Sequence, residues 1–264
     1  MGLKLTQISF ANVDELYKYK KLDFRLPPFP GYTNDQWGIK AHNRPWIEEA
    51  GMFDKGQNIL EVGGAYSTLP QYLAEKYNLK AWIGDDFGSD MKSNWSRWGN
   101  PKELVEKNKN VKYIFKNFGC FHPEFPDKYF DRIFSVSTLE HIPFRNRLNV
   151  FRDMNRCTKS GGMQLHTIDI PAHDYREIIK QALVKKYPIF KLLYKDIKSE
   201  IDKWLDIIKM SGIKITTKPP NPIQLLDRKI LVESPDVVYR FYPPNEEPKK
   251  YKPAASLLLT IQDE

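Results

Sequence analysis

The stretch NILEVGGAYSTLPQYLAEKY, from Asn58 to Tyr77, sets a short apolar run against an acid, a cluster of small residues and a helix-like pattern. Such a run reads as a buried strand passing into a crossover helix. At that seam the free N–H groups of the helix form an electropositive mouth, and ligands bind open α/β sheets at this edge. Gly63 and Gly64 allow a ligand to approach the backbone closely, and Ala65 and Ser67 keep the turn narrow. Glu61 discriminates among ligands. A carboxylate beside a diphosphate would repel it, so the acid suits a ligand whose nearby group is cationic.

Outward from this seam, apolar runs alternate with amphipathic stretches: KAWIG, then a polar loop with ELVEKN; VKYIF; FDRIFSVS, then RLNVFRDMNRCTKSGG; and MQLHTID. The rhythm is that of parallel strands buried on both faces with crossover helices, which makes the fold class α/β. Gly161 and Gly162 sit where a helix should stop before the next strand. Residues 1–50, with an amphipathic VDELYKYKKL and a proline-rich aromatic segment, read as a lead-in or cap. Residues 51–264 then form the main domain, with a helical substrate-cap insertion at about 171–200. The final apolar run, ASLLLTIQ, reads as a strand returning into the sheet.

The chain has 264 residues, enough for one large domain with a sizeable core. No apolar run is long enough to span a bilayer, and MGLKLTQISF lacks the apolar block of a secretory signal, so a cytoplasmic location is expected. Cys120 and Cys157 have no metal-ligand spacing and read as plain thiols. The net charge of +8 favours encounter with anions, but the basic residues are spread rather than gathered in a tract.

EVGGAYS resembles the first motif of class I S-adenosylmethionine-dependent methyltransferases, an acid followed by small residues. The resemblance continues through AWIGDDF, YFDRIFSVSTLEHIP and RDMNRCTKSGGMQLHTID, and more loosely to WLDIIKMSGIKI. It implies a Rossmann-like, seven-stranded, mostly parallel sheet with helices on both faces and the last strand antiparallel. It implies S-adenosyl-L-methionine as cofactor, with Glu61 orienting the methionine end and Gly63, Gly64, Ala65 and Ser67 forming the turn. Asp85 or Asp86 would bond the ribose hydroxyls, Asp86 being preferred, since one carboxylate can accept from two vicinal hydroxyls. Asn117 or Phe118 would meet the adenine, and Ser137, after the fourth strand, would also bind the cofactor. Ala65 and Ser67 stand where the family commonly has glycine.

Methyl transfer from a sulfonium is an in-line displacement, so the protein mainly positions the acceptor and removes its proton. Histidine suits that role near neutral pH. His141 and His166 are the candidate bases, with Asp169 orienting the base or the substrate. LHTIDIPAHDY, which also holds His173, resembles a segment of methyltransferases associated with cell-surface polysaccharide assembly, although His173 and Asp174 stand in reversed order. Together these imply O-methylation of a small polar acceptor such as a sugar or nucleotide-linked sugar. Alternatives are a non-catalytic cofactor-binding scaffold of the same fold and an RNA methyltransferase. Base amino-group methylation is disfavoured, because Ser137, Thr138 and Leu139 stand where Asn or Asp followed by Pro-Pro would be needed. No metal site is assigned, no nucleic-acid partner is expected, and a homo-oligomer is left open.

Overall fold

The computed structural model describes residues 2–29, 32, 34, 35, 38–87, 103, 108, 110–172, 188–233 and 253–263, leaving out the side chains of 188–195 and 226. The strands are β1 (Leu3–Phe10), β2 (Asn58–Val62), β3 (Lys80–Gly84), β4 (Val111–Ile114), β5 (Phe130–Val136), β6 (Thr158–Pro171), β7 (Lys214–Ile215), β8 (Val232–Glu233) and β9 (Ala254–Asp263). The helices are α1 (Val13–Lys21), α2 (Ile39–Gly51), α3 (Leu69–Tyr77), α4 (Phe144–Cys157) and α5 (Pro188–Met210).

The strands form one sheet in the order β4-β3-β2-β5-β6-β9-β1-β7, with β8 also paired to β9. β2 lies parallel to β3 and to β5, so the chain runs outward in both directions from the gap between β2 and β5. That gap is the topological switch at which open α/β sheets bind ligands. β9 is antiparallel to both β6 and β1, as the expectation for the last strand requires.

Residues 3–10, read from sequence as part of a lead-in, are instead a full strand of the sheet, held between β9 and β7. Their apolar residues do not alternate cleanly, because a register shift between Leu5 and Gln7 interrupts the period of two. The expected sixth strand, IKI, shrinks to the pair Lys214 and Ile215 at the edge beside β1. The ELVEKN stretch falls mostly, and 173–187 of the expected insertion falls entirely, outside the described residues.

Both faces are covered. One carries α1, α2 and α3 through Leu16, Ile47, Leu69 and Leu73; the other carries α4 and α5 through Phe151, Met154, Ile201 and Trp204. α4 ends at Cys157, before the expected glycine stop: the Thr158 backbone is already extended, and its hydroxyl donates to the Met154 carbonyl at 2.8 Å. Gly161, with φ +73°, is the fourth residue of β6.

Asp153 ties α4 to the loop after β4. Its Oδ2 accepts from the backbone N–H of Gly119 at 2.8 Å and of Phe121 at 3.0 Å, and its Oδ1 from Arg156 Nη2 at 2.7 Å. On the opposite face Arg132 donates to the Gly51 carbonyl at 2.6 Å and the Met52 carbonyl at 3.2 Å, satisfying the free end of α2. This bond fixes the C-terminal end of the helix whose N-terminal half lies over the mouth.

Candidate active site

β2 delivers Glu61 to the mouth on the face covered by α2. Along β2, Leu60 and Val62 belong to the α4–α5 core and Ile59 to the opposite one, so alternation sends Glu61 toward α2. Glu61 is 3% exposed, and its Oε2 has no partner. Burial pushes its pKa up to about 7, against the opposing pull of a Ser67 hydrogen bond and of the Arg44 charge, and Asp85 adds to the rise.

The small residues keep this carboxylate accessible. A Cβ on Gly64 would sit 3.0 Å from the Glu61 carboxylate, so glycine leaves the approach to that group open. Gly63 has φ +70°, and a Cβ there would meet Thr138 Cγ2 at 2.0 Å. The Thr138 hydroxyl donates to the Gly63 carbonyl at 3.2 Å, locking the tips of β2 and β5 together. Ala65 and Ser137 hold left-handed conformations, with φ 43° and 49°, an arrangement that concentrates at functional sites.

Asp85 and Asp86 divide their work. Asp85 accepts from the N–H of Ala65 at 2.9 Å and of Phe87 at 2.6 Å, so it holds the turn rather than facing a ligand. Burial pushes its pKa up to about 6 against those two bonds. Asp86 is half-buried beside it.

Asn117 and Phe118, expected near adenine, lie elsewhere. Asn117 is exposed, and the Phe118 ring is buried in the α4–α5 core with its centroid 4.2 Å from that of Phe125. The aromatic groups beside the turn are instead Tyr66, Phe87, Tyr113 and Phe115, with centroids 5.4 Å apart for Tyr66–Phe87 and 5.5 Å for Phe87–Phe115. The run YIF in β4 carries their signal: one partly buried aromatic, then a second just past the strand.

His166 is not at the mouth. Its neighbours Ile168 and Ile170 pack in the α4–α5 core, and the imidazole shares their face, with no exposure and its ring 5.7 Å from Phe151. Gln164 Oε1 accepts from Nε2 at 3.2 Å, so Nδ1 must be the acceptor of the Ser135 hydroxyl at 2.9 Å. Desolvation lowers its pKa to about 3. It is a neutral core residue rather than a base. We expect its ring resonances to stay flat from pH 5 to 8 in an NMR titration; a midpoint inside that window would contradict this placement.

His141, in the 3-10 turn Leu139–His141 that leaves β5, is exposed, with partial desolvation and then the Lys40 and Arg147 charges lowering its pKa. Asp169 is half-buried, and its Oδ1 accepts from the Ser137 hydroxyl at 2.9 Å. Desolvation raises its pKa to about 6 despite that bond and the Lys40 charge. His173 lies outside the described residues.

Four residues at this mouth were not anticipated. Asn43 donates toward the Ser137 hydroxyl at 3.4 Å. Arg44 is buried over Tyr32, 4.3 Å from guanidinium carbon to ring centroid, and its Nε has no partner. Its charge acts on both Glu61 and Asp169. Lys40 acts on Asp169 and on Glu140, whose carboxylate is shielded from solvent with Oε1 3.9 Å from His141 Nε2. For Asn43 and Arg44 the available signal was HNR among the apolar positions of α2. His42, beside them on α2, is buried and bonded to Glu15 at 2.8 Å.

Residues 60–165 match the family model described as a methyltransferase domain. Phosphoethanolamine N-methyltransferase 2 of Caenorhabditis elegans is 27% identical over 122 residues, which is 46% of this chain and 26% of that protein. The chain thus spans about a quarter of the curated relative it matches. Similar solved structures include an S-adenosylmethionine-dependent methyltransferase of Aquifex aeolicus, with TM-score 0.48, 15% identity and coverage of 93% of this chain and 97% of that one. Another is Haemonchus contortus phosphoethanolamine N-methyltransferase 2 with phosphomonomethylethanolamine and S-adenosylhomocysteine, with TM-score 0.46, 15% identity and coverage of 94% and 56%. The likeness to a methyltransferase domain thus runs over residues 60–165, from the middle of β2 into β6.

Proposed function

We propose that the chain transfers the methyl group of S-adenosylmethionine to a small polar acceptor held between the tips of β5 and β6. The observation that carries this reading is the unpartnered, buried Oε2 of Glu61 at a strand tip kept open by Gly64. A buried carboxylate oxygen without a donor has lost its water and gained nothing in return, so a ligand donor is the natural complement. The residues fit the cofactor: Glu61 would take its ammonium, Arg44 its carboxylate and Asp86 its ribose hydroxyls. The aromatic group of Tyr66, Phe87 and Phe115 would lie beside the adenine.

Bound there, the sulfonium supplies an electrophilic methyl. The chain's own work is to orient the acceptor and take its proton. His141 is the exposed imidazole at this edge and the candidate base, with Asp169, fixed by Ser137, oriented toward the acceptor side. The acceptor suggested by the sequence is a sugar or nucleotide-linked sugar hydroxyl. The Caenorhabditis elegans relative is instead an N-methyltransferase by name.

The test is turnover of the purified chain with S-adenosylmethionine and paired hydroxyl and amine acceptors, read as S-adenosylhomocysteine formed. Product formation dependent on acceptor is expected. A chain that fails to bind the cofactor at all would overturn the reading.

A further inference from the structure

Resting on the methyl-transfer reading above for the role of Asp169, we infer that His42 is a positioning residue: through Asn43 and Ser137 it fixes how Asp169 faces the acceptor. Four hydrogen bonds connect α1 to the mouth. Glu15 Oε2 lies 2.8 Å from His42 Nε2, and His42 Nδ1 lies 3.4 Å from Asn43 Oδ1. Asn43 Nδ2 donates to the Ser137 hydroxyl oxygen at 3.4 Å, and that hydroxyl donates to Asp169 Oδ1 at 2.9 Å. His42 and Asn43 have no exposure, so their polar atoms depend on these neighbours.

The direction of the chain is set at the imidazole. A carboxylate only accepts, so Nε2 gives its hydrogen to Glu15. An amide oxygen also only accepts, so the contact with Asn43 requires a second ring hydrogen, on Nδ1. A ring with both hydrogens keeps the Asn43 oxygen turned toward itself and the amino group toward Ser137. Ser137 Oγ then accepts from Asn43, and its own hydrogen is left for Asp169. A bare Nδ1 would reverse the amide. The Asn43 oxygen would then face Ser137 and compete with Asp169 for the one hydroxyl hydrogen. Only that hydrogen has to turn, because the Ser137 backbone is pinned by its N–H to the Thr167 carbonyl at 3.0 Å.

The groups around the ring favour the arrangement with both hydrogens. From α1 come Glu15 and the edge of the Tyr19 ring, its centroid 5.3 Å from that of His42. From α2 comes Glu49, whose carboxylate already accepts from the Tyr19 hydroxyl at 2.6 Å and from Lys18. Glu15 is therefore the carboxylate that bonds the ring, and its charge offsets that of a buried imidazole with two hydrogens. At the other end Asp169 feels Lys40, Arg44, Glu233 and Glu140. The Ser137 hydrogen bond favours its carboxylate form, against burial. Whatever takes that hydrogen away from Asp169 makes the carboxyl hold a proton more tightly.

The test follows the 13C-labelled Asp169 carboxyl of the full chain from about pH 4 to about pH 9, in the wild type, Glu15→Gln, Ser137→Ala and the double variant. Glutamine keeps an acceptor for Nε2 but removes the charge that holds the second ring hydrogen. We expect Glu15→Gln to raise the Asp169 midpoint by roughly one pH unit, the worth of a hydrogen bond to a charged group. Once Ser137 is alanine, the same change should add nothing. Mere loss of a negative charge would lower the midpoint instead. A fall, no change, or an equal rise in the alanine background would each overturn the relay. The wild type supplies a second reading that stands even if a variant folds poorly. Nuclear Overhauser contacts of the Asn43 amide hydrogens with Ser137 are expected, and contacts with the His42 ring in their place would overturn the relay. Calorimetry with S-adenosylhomocysteine is run alongside. If it fails to bind, the proposed function falls, while the Asp169 titration of the unloaded chain still decides the relay.

Discussion

Glu61→Gln is expected to weaken S-adenosylhomocysteine binding by about 10- to 100-fold, the worth of a charge-assisted hydrogen bond, and yet to melt higher than the wild type at pH 8. The two effects share one cause. Glu61 is 3% exposed, and burial moves its pKa from 4.5 to about 7. A group whose pKa is raised on folding holds its proton more tightly in the folded chain. Its favourable contribution is therefore complete below the unfolded pKa and is lost as the pH climbs through about 7. Above that the free protein carries a buried charge costing on the order of 3 kcal/mol, part of which a glutamine removes. The amide still lacks a complete set of partners, so a net gain of about 1–2 kcal/mol, a few degrees, is expected at pH 8 and little at pH 5. Calorimetric titration with thermal scans at both pH values checks this. Unchanged affinity would show that the carboxylate does not touch the ligand.

Asp153→Ala should cost about 2–4 kcal/mol in denaturant unfolding, because it removes the shared anchor of two backbone donors and one half-buried cation. Asp153 has no exposure, and its loss would leave the N–H groups of Gly119 and Phe121 and part of Arg156 unpaired. Arg156 keeps its bond to Asp127, which lies on the exposed side and compensates little. The loop released by the change carries Phe118, whose ring fills the space beside Gly84. Loosening is thus expected to reach the tip of β3 and weaken the Asp85 clamp. A loss below about 1 kcal/mol would mean that water replaces the anchor.

Most of the sheet was legible because five parallel strands buried on both faces announce themselves as short apolar runs. β1 was harder: its register shift breaks the alternation, and its partners β9 and β7 lie over two hundred residues away in sequence. At the site, Glu61 and the small residues could be placed from a strand-to-helix seam alone. Position within that seam does not say which way a side chain points, and His166 illustrates the consequence. It stands three residues before Asp169 on the same strand, so the two necessarily face opposite sides of the sheet. Asn43 and Arg44 were missed for a different reason: they come from α2, which reaches the mouth only through packing. Asp85 read as a ribose ligand because its type fits that chemistry, but the N–H groups of Ala65 and Phe87 each take one of its oxygens first.

Calorimetry of the wild-type chain with S-adenosylhomocysteine, NAD and adenosine diphosphate, side by side, tests most directly whether this strand tip receives a cationic amino-acid end in place of a diphosphate. Saturable binding of S-adenosylhomocysteine, and none of the two diphosphates at the same concentrations, is the predicted result. Binding of NAD or adenosine diphosphate with exclusion of S-adenosylhomocysteine would contradict it.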